Sequence, residues 1–166
     1  MAQPNTHGLT VEVLRQRLVY DPATGYFSTL KYGRNVSPGR RVGWVDGFGY
    51  VTVCLLRKHH RAHRLAWLYM TGSWPTELDH INGVRHDNRW ANLRLASRRM
   101  NLGNRGAVDP TNHKKGVIHW PSGRWSANIL SGSDRRYLGM FDTEDEAHEA
   151  YKKAAVRVFG EFARFE

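Results

Sequence analysis

Cysteine is almost missing from this chain: Cys54 stands alone among 166 residues. A single thiol excludes an intramolecular disulfide framework and a cysteine-rich zinc cage. Long apolar runs are missing too, and none approaches the roughly 20 residues needed to span a bilayer. The opening MAQPNTHGLT lacks the charged-then-apolar order of a secretory signal. These absences predict a soluble, cytoplasmic protein with no membrane partner. Acidic side chains are scarce, 15 against 25 Lys and Arg, giving a net charge of +10 and a pI near 10.2.

That shortage is local. Residues 1–105 hold 16 basic and 6 acidic side chains, whereas residues 106–166 hold 9 of each. Arg57, Lys58, Arg61, Arg64, Arg85, Arg89, Arg94, Arg98, Arg99 and Arg105 crowd one stretch of the basic part. Such density, with Arg favoured over Lys, points to phosphate contacts and counterion release. A basic surface without a partner is the plainer alternative.

With 40% hydrophobic and 11% aromatic residues, the chain can bury one ordinary core or two small ones. The spacing of Leu14 and Leu18 predicts an amphipathic helix over LTVEVLRQRLVY, capped by Thr10. Asp21-Pro22 and Gly25 end it, and YFSTL follows as a strand. Alternation in VGWV and YVTVCLL, around Asp46-Gly47-Phe48-Gly49, predicts a hairpin. His59 and His60 are expected to be solvated hairpin residues. HRLAWLYM, from His63 to Met70, runs without a breaker until Gly72 and reads as a helix. ELDHI and LRLAS are short enough to be two strands joined by a long polar loop, after which Ser97 caps a helix.

GAVDPTNHKK has a linker's composition. Beyond it, GVIHW, RWSANIL and RRYLGMFD predict three strands. Thr143 caps a final helix with acids in its first turn and bases later, an order suited to the helix dipole. Ala147, Ala150, Tyr151, Ala154, Ala155 and Val158 form its packing stripe.

Residues 76–105 are poor in core-formers and rich in Asn, Asp and His. Hydrolysis of a phosphodiester needs a base for the attacking water and a hard cation to stabilise developing charge. His is the natural base near neutral pH, and Asp and Asn oxygens suit the cation. Asp79 and His80 are neighbours on a strand, so their side chains face opposite ways. Chemistry alone therefore leaves their joint use unresolved.

The run LDHINGVRHDNRWANLRLASRRMNLGN resembles the HNH endonuclease motif of phage and intron homing enzymes. Its elements stand in order: Asp79-His80-Ile81-Asn82-Gly83, Asp87-Asn88-Arg89, Asn92-Leu93-Arg94 and Asn101, with His63-Arg64-Leu65-Ala66-Trp67 upstream. The resemblance implies a ββα-metal core holding one Mg²⁺ or Mn²⁺, and a bacterial host cell if the gene is of phage origin. It gives His80 the part of general base and Asp79 and Asn101 those of metal ligands. Asn92 would fix the loop and orient the imidazole. Asn88 is a turn residue in this reading, and His63 a helix-end or DNA-backbone group. His86 and Asn104 receive no role.

Residues 115–166 resemble the DNA-binding domain of plant ethylene-response factors, through Gly116-Val117, Gly123-Arg124-Trp125, Ala127, Ile129, Tyr137-Leu138-Gly139, Phe141-Asp142-Thr143, Glu146-Ala147, Ala150-Tyr151 and Ala154-Ala155. The resemblance implies a sheet lying in the major groove, with Trp120, Arg124, Trp125, Asn128, Arg135 and Arg136 as candidate contacts. Ile118 and Trp120 stand where the plant proteins usually carry Arg, so base preference does not transfer. Trp125 and Leu138 could instead be core residues.

The expected protein is α+β. It has a basic region at 1–75 with a helix, a hairpin and a helix, then an HNH motif at 76–105. A linker at 106–114 leads to a sheet-plus-helix domain at 115–166. Its expected activity is metal-dependent nicking of a recognised duplex site, by a monomer without organic cofactor. Arg64, Arg85, Arg89, Arg94, Arg98, Arg99 and Arg105 are expected to meet DNA. The rivals are a non-catalytic DNA-binding regulator and a nonspecific nuclease.

Overall fold

The structure is a computed structural model and describes residues 8–30, 37–104, 114–131 and 134–165. Arg105 and most of the expected linker lie outside the described residues. The chain forms two compact units, Met1–Leu95 and Ala96–Glu166.

In the first unit, α1 (Val11–Arg17) starts at Thr10, whose hydroxyl accepts from the Val13 N–H at 3.4 Å. The helix is shorter than its sequence pattern implies. At Leu18 the backbone turns extended, and β1 (Leu18–Asp21) begins instead. β1 pairs antiparallel with β2 (Tyr26–Thr29), which in turn pairs with β3 (Arg41–Val42). Alternation explains the switch: Leu18 and Tyr20 are buried while Val19 and Asp21 face out. Pairing with β2 puts Leu18, Tyr20 and Phe27 into the core, and each side chain so buried contributes about 1.5–3 kcal/mol.

A second sheet joins β4 (Trp44–Val45), β5 (Val51–Leu55) and β6 (Lys58–Arg61), all antiparallel. The β4–β5 hairpin is the one foreseen from VGWV and YVTVCLL. The β5–β6 hairpin is not, because its turn is made by Leu56 and Arg57, both at positive φ (53° and 62°). Such turns usually carry Asn or Gly, so this one leaves no turn signal in the sequence. The new strand also corrects the expectation for His60, which is buried and stacks on Trp74 at 6.2 Å; only His59 is exposed.

α2 (Ala62–Thr71) follows directly and ends at Gly72. Its Leu65, Ala66 and Leu68 complete a core with Leu14, Phe27, Val53 and Leu93. β7 (Leu78–His80) and β8 (Leu93–Leu95) then form a two-stranded antiparallel ladder.

In the second unit, α3 (Arg98–Gly103) is capped by the Ser97 hydroxyl, which accepts from the Met100 N–H at 3.3 Å. β9 (Val117–His119), β10 (Trp125–Ser131) and β11 (Asp134–Phe141) make a sheet with β10 central. α4 (Glu144–Phe159) buries Ala147, Tyr151, Ala155 and Phe159, with Ile129 of the sheet in the same cluster as the last three. Its start is a capping box: Thr143 and Glu146 exchange side-chain and backbone bonds at 3.3 Å. Thr143→Ala is expected to lower stability by about 1 kcal/mol, read as an earlier urea midpoint at unchanged slope.

Candidate active site and nucleic-acid interface

β7 and β8 hold the two motif residues that sequence chemistry could not join. Asp79 and Arg94 are cross-strand partners, as are His80 and Leu93. One Asp79 oxygen accepts from Arg94 Nε at 3.0 Å and from Nη2 at 2.9 Å. Arg94, expected on DNA, is thus engaged with Asp79, and both side chains are largely buried. His80 meets other rings: its imidazole lies 5.0 Å from that of His63 and 6.1 Å from Tyr50.

The loop between the strands is clamped by amides. Asn92 closes it: its Oδ1 accepts from the Asn82 N–H at 3.0 Å. Its Nδ2 donates to Asn82 Oδ1 at 3.0 Å and to the Asp87 carbonyl at 2.7 Å. These bonds tie the start of the loop to its end, while none of them reaches the His80 ring that Asn92 was expected to orient. Against the His80 ring itself stands Asn88, whose Oδ1 lies 3.2 Å from Nε2. Asn88 Nδ2 donates to the His86 carbonyl at 3.3 Å, which sets the direction of its amide. Asn88 is 2% exposed. A buried amide against an imidazole does more than turn the chain, a role that sequence spacing alone did not indicate.

The N-terminal hairpin presses on this loop. Tyr20 Oη donates to the Asn88 carbonyl at 2.6 Å, and the Trp90 N–H donates to the Pro22 carbonyl at 3.0 Å. Trp67 of α2 packs on Trp90 at 4.9 Å. The N-terminal hairpin and α2 therefore brace the Asn88–Trp90 stretch, and the hairpin carries no residue that sequence reasoning read as part of the site.

His63 sits in the first turn of α2, buried rather than presented to a phosphate. Its ring also lies 5.3 Å from Tyr50, and its Nδ1 has no hydrogen-bond partner among the described residues. Burial, then the neighbouring His80, Arg64 and Arg61, pushes its pKa down to about 3. The folded state keeps it neutral while the unfolded chain binds a proton near the ordinary 6.5. Stability is thus expected to fall as pH drops from about 6.5 towards 3, because the unfolded state takes up more protons there. Denaturant midpoints across that range should show a shallower slope in His63→Gln.

The other cations divide by use. Arg64 donates to the Pro75 carbonyl at 2.7 Å and the Thr76 carbonyl at 3.3 Å, bracing the approach to β7. Arg89 pairs with Asp87, and that pairing holds the Asp87 carboxyl down at about 2. Arg85 donates to the Phe48 carbonyl at 2.9 Å while remaining exposed. Arg98 and Arg99 are exposed on α3. Asn101 lies on α3 in the second unit, whereas Asp79, His80 and Asn92 lie in the first.

In the second unit the sheet has two faces. Trp125, Ala127 and Leu138 cluster with Val117 and Ala147 on the helix side. Trp125, foreseen as a possible contact, is therefore a packing residue, and Arg136 pairs with Ile129 of that same side. The opposite face carries Ser126, Asn128 and Leu130, with Tyr137 and Arg135 paired to the last two. Trp120 joins it by donating from Nε1 to the Ser126 hydroxyl at 2.9 Å. Tyr137 is 62% exposed there and Trp120 47%. Tyr137 was not foreseen; an aromatic at an alternate position of an edge strand was the available signal. Arg124 pairs with Asp142.

Among the described residues no group of three His, Cys, Asp or Glu side chains could hold a metal ion. No helix among the described residues is long and apolar enough to cross a membrane.

Residues 60–102 match the family model of HNH endonucleases. Over 104 residues the chain is 30% identical to an uncharacterized HNH endonuclease of Acanthamoeba polyphaga mimivirus, covering 61% of this chain and 54% of that protein. It is also 46% identical over 48 residues to an AP2/ERF and B3 domain-containing transcription factor of Arabidopsis thaliana, covering 29% of this chain and 14% of the relative. An APETALA2-like protein of Oryza sativa subsp. japonica is 48% identical over 48 residues, covering 28% and 11%. The chain thus spans about half the length of the viral relative and a small part of the plant ones. No solved structure matches it significantly.

Proposed function

We propose that this protein is a homing-type DNA endonuclease that nicks one strand of a recognised duplex as a monomer. The observation that carries the reading is the HNH segment at residues 60–102, with Asp79 and His80 on one ladder and His80 against Asn88. Asn88 Oδ1 can only accept a hydrogen bond, so Nε2 of His80 carries the proton and Nδ1 the lone pair. His80 then takes a proton from the attacking water, leaving a 3′-OH and a 5′-phosphate. Asn92 keeps the loop closed around the ring.

A carboxylate such as that of Asp79 suits a hard divalent cation, which prefers oxygen ligands. Asp79 is the ligand that the first unit offers to one Mg²⁺ or Mn²⁺, which when bound would offset charge developing on the phosphate. Arg94 holds the Asp79 carboxylate in one orientation for that purpose. Arg85, Arg98, Arg99 and Arg105 take backbone phosphates. The open face of the β9–β11 sheet, with Trp120, Asn128, Arg135 and Tyr137, reads the duplex. Joining a weak cutter to a separate reader raises affinity through effective concentration.

Supercoiled plasmid incubated with the full chain and Mg²⁺ or Mn²⁺ tests the reading. Relaxed circles that appear with metal and vanish with EDTA are the expected products. Tight, salt-sensitive binding with no strand cut would favour the second reading, a DNA-binding regulator, which the likeness to plant transcription factors supports. Equal degradation of random DNA and RNA would favour a nonspecific nuclease.

A further inference from the structure

Phe48 is 72% exposed at the tip of the β4–β5 turn, yet that turn is tightly built. Asp46 Oδ1 accepts from the Phe48 N–H at 2.9 Å and the Tyr50 N–H at 3.1 Å, and the Asp46 and Gly49 N–H groups close the loop. Asp46 also pairs with Arg61. On the other side, Arg85 of the HNH loop donates to the Phe48 carbonyl. Arg85 and Arg61 both lie over the Tyr50 ring, at 5.1 and 4.8 Å, and that ring stands 6.1 Å from His80. The turn is thus braced against the candidate active site by two guanidinium groups. The Phe48 ring adds nothing to the core of the unit, and the rigid turn holds it out in water.

The surroundings indicate what it meets. Arg61 and Arg85 stand against the turn, and its single acid, Asp46, is paired with Arg61. The partner is therefore anionic and also offers an apolar slot. Stacked bases between two phosphate backbones satisfy both demands, and apolar side chains are known to enter such stacks as wedges.

We propose that Phe48 inserts between base pairs beside the phosphodiester presented to His80, with Arg85 on the adjoining phosphate. This rests on the nuclease reading above. Unstacking one step loosens the backbone next to it, so the wedge both marks the register and exposes the bond. An apolar tip that docks on another protein is the competing explanation.

The test uses the full chain carrying His80→Ala, so that bound DNA stays whole. Sequencing of wild-type nicks in plasmid fixes the position cut, and a duplex of about 30 base pairs centred there carries 2-aminopurine at successive steps. Binding should raise its fluorescence about fivefold at one step next to the nick, through unstacking. Adding Phe48→Ala should return that signal to the free-duplex level, while Phe48→Leu retains part of it. The melting temperature should not move, because Phe48 is exposed. An equal signal with and without the Phe48 ring overturns the wedge even when wild type cuts. If wild type cuts nothing, the nuclease reading falls separately, and the wedge is read on a duplex with one central mismatch. Preference for it over the matched duplex, lost in Phe48→Ala, supports the wedge; no preference overturns it.

Discussion

His80→Ala is expected to slow metal-dependent strand cleavage by about 10²–10⁴-fold, with affinity for plasmid DNA changed less than about twofold. The first figure is what a positioned base contributes; the second follows because His80 is 6% exposed and offers little surface to a duplex. Burial lowers the His80 pKa, partly opposed by the Asn88 hydrogen bond and by Asp79 and Asp87. A base acts in its neutral form, so the acid limb of the rate should lie below the ordinary imidazole value of 6.5. Single-turnover rates against pH measure that limb. Added imidazole should restore part of the lost rate if the side chain moves a proton. Full activity in the variant would remove His80 from the reaction.

Much of this site was legible because the family motif is contiguous. Asp79, His80, Asn92 and Asn101 were named by the resemblance to the HNH motif, and the strand-loop-strand order followed from the shortness of ELDHI and LRLAS on either side of a polar stretch. Helix α4 was legible for a different reason: its cap, charge order and apolar stripe agree at every level. What escaped was set by tertiary pairing. Leu18 to Asp21 continue a helical pattern, and only the partner strand β2 makes them extended. The Leu56–Arg57 turn carries neither Asn nor Gly, so β6 left no mark. Asn88 reads as a turn residue until the ring of His80 is found against it. Trp125 looks like an aromatic contact in the sequence and Tyr137 does not, yet the pairing of β10 with β11 sorts Trp125 to the helix side and Tyr137 to the open face.

Gly25→Ala is expected to be severely damaging although it lies outside the motif. Gly25 closes the β1–β2 turn at φ +76°, where a side chain is strained whatever space surrounds it. Here there is no space: a Cβ would lie 2.4 Å from the Asn88 carbonyl carbon and 2.4 Å from the Arg89 nitrogen. Those atoms are backbone of the clamped loop and cannot swing aside as a side-chain end could. Relief requires either the turn or the loop to withdraw, and withdrawal costs the Tyr20–Asn88 and Trp90–Pro22 bonds that join them. Strain plus these lost bonds amounts to about 3 kcal/mol or more, a large share of a small unit's stability. The same withdrawal pulls Asn88 from the His80 ring, so cleavage should fall further than the folded fraction does. Tyr20→Phe separates the two effects: it deletes the 2.6 Å bond without strain and is expected to cost about 1–2 kcal/mol. Denaturation midpoints of both variants, set beside their cleavage rates at equal folded fraction, measure the coupling between hairpin and loop. Equal stability of Gly25→Ala and wild type would mean that the hairpin does not hold the loop in solution.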